Sequence, residues 1–285
     1  MDLRTLSLRI GRTENLPVLP GSVLKILQLS GNEDASPRML EYIITQDPGL
    51  AAKVLRVASS PIYGREACND IGRALSLLGM NQIKQISISL GYQQFINAKQ
   101  TVPSFDRVVF WQHCKAVATF SRELMMVVNP SKRDDAYMAG LIHDVGILAM
   151  ARYAPGELHE VINGASSQRT SLEEAERRIG FGHREIGKVL AEKWGLPSFI
   201  CDVAANHDNP GASEVDSEMC MVVAAANTLS YESGHPSFIH VTASNPSSAF
   251  LSNLSLDNDR LERIHNVVEA ELDLAGQELG NRSAA

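Results

Sequence analysis

The chain has 285 residues, 44% hydrophobic and only 6% aromatic, enough apolar surface for one elongated domain or two packed ones. Its formal net charge of -7, with no cluster of Lys and Arg interleaved with aromatic residues, argues against direct nucleic-acid binding. The four cysteines (Cys68, Cys114, Cys201, Cys220) are scattered without a CxxC pair, so a zinc ribbon or disulfide framework is not expected, and a reducing compartment suits them.

The N-terminal stretch MDLRTLSLRIGRTENLP lacks an apolar core long enough for a signal peptide, and no apolar run approaches membrane-spanning length. A cytoplasmic location with no membrane partner is the expectation. From there the chain reads as helix after helix. Residues 21–29 carry Val23, Leu24, Ile26 and Leu27; Ser36 and Pro37 then supply an N-cap and first-turn proline for a helix with Met39, Leu40, Ile43 and Ile44 inward. Asp47 and Pro48 repeat the device ahead of Leu50, Val54, Leu55 and Val57, and Ser60, Pro61 and Gly64 close that helix. Two more follow, divided at Gly79, with stripes Ile71, Leu75, Leu78 and Ile83, Ile86, Leu90. Within this half Asp47, Ser59 and Arg73 read as caps and surface groups.

After a joint at Pro103, histidines enter the apolar stripes. Residues 104–128 carry Phe110, His113, Val117, Phe120 and Leu124 on one face, in steps of three and four. Residues 136–151, AYMAGLIHDVGILAMA, are apolar on nearly every side, as a buried helix is, yet hold the adjacent His143 and Asp144. Two short helices follow, over 155–163 and 171–178, the second opening like a capping box because Ser171 precedes Glu174 by three. Residues 182–194 then align His183, Ile186, Leu190 and Trp194; the helix after Pro197 aligns Ile200, Val203, Ala204 and His207; and 219–231 aligns Cys220, Val223, Asn227 and Tyr231. An irregular Ser-, Pro- and Asn-rich excursion spans 233–253, and a last amphipathic helix 257–274. The fold class is all-α, divided as a 1–15 extension, a helical lobe over 16–100, a second lobe over 101–275 and a frayed tail at 276–285.

A carboxylate buried in an apolar helix is costly unless partners or a metal offset it, so Asp144 requires company. One histidine on an apolar stripe is more often a satisfied core residue than a ligand. Three separate helices each turning one inward, with a fourth carrying His143 beside Asp144, is a different matter. His113, His143, Asp144, His183 and His207 are the candidate metal ligands, with Asn227 as a weak or substituted one. His159, His235, His240 and His265 read as solvent-facing. Imidazole nitrogens with one carboxylate suit Fe, Mn, Zn, Co or Ni better than Mg or Ca, and a metal-free hydrogen-bonded cluster stays open beside that.

The adjacent His143 and Asp144, with His113 thirty residues earlier, resemble the HD superfamily of metal-dependent phosphohydrolases. The segments LPVLPGSVLKILQL, QDPGLAAKVLRVASSPIYG, IGRALSLLGMNQIKQISIS, FWQHC, AGLIHDVG, FGHREIGKVLAEKWGLP and the triplet Asn206, His207, Asp208 resemble, in that order, the HDOD domain, the HD-related output domain of bacterial signalling proteins. That resemblance covers about residues 16–231 and implies an all-α fold of two helical subdomains with a regulatory role in bacterial signal transduction.

The resemblance places the superfamily's final Asp at Asn227, which brings no charge, and places the phosphate-contacting Lys of the cyclic-dinucleotide phosphodiesterase branch at Ile147. His183 and His207 match extra ligands of that branch, but its HHE becomes Asn206, His207, Asp208 and no Gly-Tyr-Pro follows. Two readings result. The preferred one is a stand-alone, non-catalytic regulatory module whose helical lobes consume the chain and which engages a protein partner or a small ligand. The other is a metal-dependent phosphohydrolase acting on a phosphoester or nucleotide, with Asp144 in its catalytic centre.

Overall fold

A computed structural model of the chain describes residues 2–12, 19–30, 32, 34–60, 68–96, 102–238, 248–254 and 256–280. Among the described residues there are sixteen α-helices, two short 3-10 turns and no strand, as the periodicity predicts. The chain divides into two compact units, one formed by 1–13, 100–193 and 198–285, the other by 14–99 with 194–197. Helix α1 (Leu3–Arg12) belongs to the first, where its Leu6 and Ile10 are fully buried.

The smaller unit is built from α2 (Gly21–Gln28), α3 (Pro37–Thr45), α4 (Pro48–Ala58), α5 (Ile71–Leu78) and α6 (Met80–Ile96). Ser36 Oγ accepts the Met39 N–H at 3.4 Å and Asp47 Oδ1 the Leu50 N–H at 3.0 Å, so both expected caps form, each followed by its proline. Asp47 Oδ2 also accepts from Ser22 Oγ at 2.6 Å. The expected turn at Pro61 and Gly64 lies outside the described residues. Helix α6 departs from a one-sided stripe: besides Ile83, Ile86 and Leu90 it buries Ser87, Ile88 and Tyr92, because α2, α3, α4 and α5 all pack on it. Lys84 is accommodated in that setting by donating to the Leu29 carbonyl at 3.0 Å.

The larger unit continues through α7 (Arg107–Val128), α8 (Arg133–Ile142), α9 (Val145–Tyr153), α10 (Pro155–Gln168), α11 (Leu172–Ile179), α12 (His183–Lys193), α13 (Ser198–Asn206), α14 (Ser217–Glu232), α15 (Ser248–Asn253) and α16 (Asn258–Gly280). Helix α7 is its axis, buried on most sides between α8, α14 and α16, with Val117, Phe120 and Leu124 meeting Val223, Ala226, Ile264 and Val268 in one core. Helix α16 is also held electrostatically, Glu271 accepting from Thr119 Oγ1 at 2.8 Å and pairing with Arg122 at 2.8 Å.

The stretch 136–151 is not one helix. It breaks at His143 and Asp144, α8 ending before them and α9 starting after them. The break turns α9 against α12 so closely that a Cβ on Gly146 would lie 1.8 Å from the His183 carbonyl oxygen; only glycine allows that approach. In the 233–253 excursion, 239–247, including His240, lie outside the described residues, and the rest ends in the six-residue α15. The last helix runs to Gly280, past the expected end at 274, and 281–285 lie outside the described residues.

Candidate metal centre

All five candidate ligands converge inside the larger unit. His113 comes from the middle of α7, His143 and Asp144 from the break between α8 and α9, His183 from the first position of α12, and His207 from the turn just after α13. Their exposures are 0, 1, 4, 2 and 1%. His159, His235 and His265, expected to face solvent, are instead half-buried, with none of their rings in the cluster, although the His235 backbone carbonyl reaches His113.

Hydrogen bonding fixes the tautomer of each ring. Nδ1 of His113 lies 2.8 Å from the His235 carbonyl, Nδ1 of His143 2.7 Å from that of Gly140, and Nδ1 of His207 2.9 Å from that of Val203. Nδ1 of His183 lies 2.8 Å from Glu176 Oε1. A carbonyl or carboxylate oxygen only accepts, so every Nδ1 carries its proton and donates, and every Nε2 is turned to the centre. Nε2 of His113 and of His143 have no hydrogen-bond partner there although both are buried.

Asp144 sits between two pairs of imidazoles. Its Oδ2 is 3.3 Å from His143 Nε2 and 3.8 Å from His113 Nε2; its Oδ1 is 3.3 Å from His207 Nε2 and 3.5 Å from His183 Nε2. The last two nitrogens are 3.2 Å apart. Donors at about 2.0–2.2 Å around one ion sit roughly 3.0–3.6 Å from each other, a range that holds four of these five separations, the 3.8 Å to His113 Nε2 lying just beyond it. Two overlapping groups result, His113, His143, Asp144 and Asp144, His183, His207, sharing the one carboxylate.

Two carboxylates join that a stripe reading does not reveal. Asp208 Oδ2 lies 3.4 Å from His183 Nε2 and 3.8 Å from His207 Nε2. Its sequence signals are adjacency to His207 and its place in the Asn206, His207, Asp208 triplet that resembles the HDOD domain; a turn rather than a helix presents it, so no stripe points to it. Glu176, 4% exposed on α11, accepts both the Nδ1–H and the backbone N–H of His183 at 2.8 Å, the carboxylate–histidine arrangement that orients a ligand from behind. Gly182 makes room for it, because a Cβ there would lie 2.4 Å from Glu176 Oε2. Ser171 Oγ caps α11 through the Glu174 N–H at 3.3 Å, as the capping-box reading expects, whereas Glu176 follows no motif.

Electrostatics follow from this crowding. Burial, then the neighbouring charge of His143, lowers the His113 pKa to about 4, leaving a neutral imidazole with a free lone pair. Burial opposes charge on Asp144, but the imidazoles of His143, His207 and His183 outweigh it and hold the carboxyl well below its ordinary range. Burial likewise opposes charge on His183, yet Glu176, Asp208 and Asp144 raise its pKa well above normal. Asp208 is lowered to about 2, burial being overcome by His207 and His183.

Asn227 lines the same cavity, and its buried Oδ1 has no hydrogen-bond partner. That cavity measures about 20 Å³ and is lined by Asp144, Leu172, His183, His207, Asp208, Asn227, Tyr231 and Ser237, without Lys or Arg among the described residues. Ile147 is fully buried and not part of the lining.

A family model described as the HDOD domain matches residues 16–210. A Treponema pallidum (strain Nichols) protein named uncharacterized protein is 24% identical over 220 residues, 76% of this chain and 42% of that protein, so the chain spans less than half the length of this curated relative. The crystal structure of an HDOD domain protein with unknown function from Geobacter sulfurreducens shares 23% identity at a TM-score of 0.73, covering 96% of this chain and 94% of that one. A Marinobacter aquaeolei VT8 protein, provisionally named for signal transduction, gives 22% and 0.74 over 92% of this chain and 58% of its own. One from Shewanella amazonensis SB2B, provisionally named a phosphohydrolase, gives 21% and 0.68 over 93% of each. At these identities the structural likeness shows a shared fold.

Proposed function

Because the chain belongs to the HDOD family, we propose that it is a regulatory module of bacterial signalling, without turnover, whose His/Asp cluster holds a divalent transition metal. One observation carries this reading: among the described residues no Lys or Arg lines the cavity at the cluster, and its His183 is already shared by Glu176, Asp144 and Asp208, so the charge of a phosphoester would go largely unmet there. His113, His143, Asp144, His183 and His207 would hold the metal, with Asp208 and Asn227 beside them. The donor set of imidazoles and carboxylates suits Fe, Mn, Zn, Co or Ni. Bound there, the ion supplies positive charge that offsets two buried carboxylates and ties α7, α9, α12 and the end of α13 together. Signal then passes by non-covalent contact with a protein partner or a small ligand. The net charge of -7 supports a partner other than nucleic acid, and among the described residues no helix is long and apolar enough to cross a membrane.

Asp208 favours a second reading, a metal-dependent phosphohydrolase. It returns to the centre the carboxylate that Asn227 lacks, and four imidazoles with two carboxylates is donor set enough for hydrolytic metal chemistry. Elemental analysis of the purified protein, followed by a panel of phosphoesters and nucleotides with wild type and Asp144→Ala, separates the two. Stoichiometric metal with equal background rates in both proteins supports the regulatory module. Turnover that disappears in Asp144→Ala overturns it.

A further inference from the structure

The four candidate ligand rings are not anchored alike. His143 and His207 donate from Nδ1 to carbonyls three and four residues back, and His183 to Glu176, seven residues back. His113 instead donates to the carbonyl of His235, 122 residues further along the chain, at 2.8 Å. Its aim therefore depends on how two separate parts of the larger unit are held together.

Residues 234–238 form a strap with fixings along its length. Gly234, at φ +85, ends α14 in a left-handed turn, and the His235 N–H donates to the Ser230 carbonyl at 2.9 Å. Ser230, fully buried, donates through Oγ to the His235 carbonyl at 2.7 Å, and the same oxygen lies 3.2 Å from His113 Nδ1. Ser237 shares a hydrogen bond with the Tyr231 hydroxyl at 2.5 Å, and both residues line the cavity at the cluster. Phe238 is buried and packs at 6.4 Å on Phe110, three residues before His113 on α7.

Helix α16 holds both sides of the His113–His235 bond. Its buried stripe is Ile264, Val268 and Leu272, and Glu269 and Glu271 stand on opposite flanks of that stripe, since residues two apart on a helix point about 200° apart. Glu271 grips α7, pairing with Arg122 and accepting from Thr119. Glu269 grips the strap, accepting from His235 Nε2–H at 2.8 Å. One helix thus clamps the helix of the donor and the turn of the acceptor. Ser230, the strap and α16 all lie past residue 210, where the match to the HDOD model ends.

We propose that α16 and the 234–238 strap are a positioning device for His113, so that the docking of α16 sets how firmly the His113 side of the centre holds its metal. An imidazole that gives its Nε2 lone pair to an ion donates more strongly from Nδ1–H, so occupancy and docking favour each other, and linkage makes the coupling reciprocal. The regulatory centre then has an output, because its occupancy is felt at a surface helix. The metal half of this inference rests on the metal centre proposed above; the anchoring of the ring does not.

The full chain, labelled with 15N-histidine and stripped of metal, tests the device first without any ion. NMR reads the solvent exchange of the ring Nδ1–H protons, assigned from His113→Gln, His143→Gln and His207→Gln. Gly234→Ala, whose Cβ would meet nothing within 4 Å, changes only the ease of the left-handed turn and is expected to speed exchange at His113 about tenfold. Glu269→Ala, which removes an exposed partner, is expected to speed it about threefold. Gly234→Asn, which tolerates that backbone, and Glu262→Ala, at another exposed position of α16, are expected to match wild type. His143 and His207 should keep wild-type exchange in all four. Chelator competition with Zn is then expected to show affinity falling by the same factors, and Zn to slow exchange of the His235 amide in wild type.

Unchanged exchange at His113 in either Gly234→Ala or Glu269→Ala, or equal acceleration at His143 and His207, overturns the positioning role. A loosened His113 ring with no loss of Zn affinity overturns the coupling. Glu269→Ala alters only the surface and decides the matter if Gly234→Ala does not fold. Wild type that takes up no metal removes the metal reading, while the stripped protein still decides whether α16 and the strap hold His113.

Discussion

The carboxylate of Glu176 accepts both the imidazole Nδ1–H and the backbone N–H of His183, each at 2.8 Å, and so fixes the start of α12 and the aim of its first side chain together. Two buried donors depend on one residue. Glu176→Ala leaves both unmatched, a cost of about 1–3 kcal/mol each, and frees the ring to rotate. Metal affinity is expected to fall about 10–100-fold, with Glu176→Gln intermediate because it restores an acceptor without the charge. Competition titration against a chromophoric chelator measures this; unchanged affinity in Glu176→Ala would show that His183 takes no part in holding metal.

Metal removal is expected to destabilise the larger unit. The centre fastens elements that are distant in sequence, and an ion binding only the folded state adds about 2.7 kcal/mol at a free concentration of about 100 times its Kd. Thermal melts before and after chelation, then on titrating Mn, Fe, Zn, Co and Ni back, read the effect directly. Melting temperatures indifferent to all five would leave the cluster as a hydrogen-bonded, metal-free knot.

Gly146→Ala is expected to be among the most damaging single-methyl additions. The added carbon would sit 1.8 Å from the His183 carbonyl and 2.8 Å from the Gly187 nitrogen, both backbone atoms that cannot rotate away. Separating α9 from α12 moves Asp144 off His183, so stability should fall by more than about 3 kcal/mol and metal retention with it. Urea denaturation of the variant alongside Gly156→Ala, where a Cβ meets nothing within 4 Å, isolates the contact from a general loss of glycine.

Much of this architecture was legible in the sequence. The stripes of α7, α12 and α14 named His113, His183 and Asn227 because a helix repeats every three to four residues and a buried face shows as a run of apolar residues at that spacing. The break at His143 was not legible, since residues apolar on every side carry no phase and a single helix fits them equally well. Glu176 and Asp208 escaped for another reason. One lies on a charge-rich helix, α11, whose Glu173 and Glu174 are indistinguishable from it by type, and the other on a turn, where no periodicity applies. Only the tertiary approach of Gly182 and the end of α13 selects them.

Acid should loosen the turn that carries His207 and Asp208 by way of Asp202. That buried carboxylate accepts from Ser213 Oγ at 2.7 Å, Asn206 Nδ2 at 2.8 Å and the Asp216 N–H at 2.9 Å, tying the end of α13 to the start of α14. Burial raises its pKa, but Ser213, Asp216 and Asn206 together bring it below 3.8. A carboxyl lowered on folding contributes stability that is complete above its unfolded pKa, near 3.8, and is lost as pH falls through the lower folded value. Denaturation of metal-stripped protein is therefore expected to steepen below pH 3.8, and less so in Asp202→Asn. Parallel acid limbs in the two proteins would remove Asp202 from the account.

Asn227→Asp is the substitution on which the two functional readings diverge most. The wild-type Oδ1 is buried without a hydrogen-bond partner and faces a cavity that already holds Asp144 and Asp208, both pressed to the charged state. A third carboxylate there meets no Lys or Arg among the described lining residues, and the charge of His183 is already shared by Glu176, Asp144 and Asp208, so the metal-stripped variant should lose about 1–3 kcal/mol of stability. With metal the sign reverses, because ligand charge sets affinity for a dication, and affinity should rise about tenfold or more. Chemical denaturation with and without Mn or Zn reads both halves, the gap between the two curves widening relative to wild type. A phosphoester panel on the same variant adds the functional arm: a regulatory centre gains metal affinity and stays silent, whereas turnover appearing in Asn227→Asp would mean that one missing charge is what keeps this site from hydrolysis.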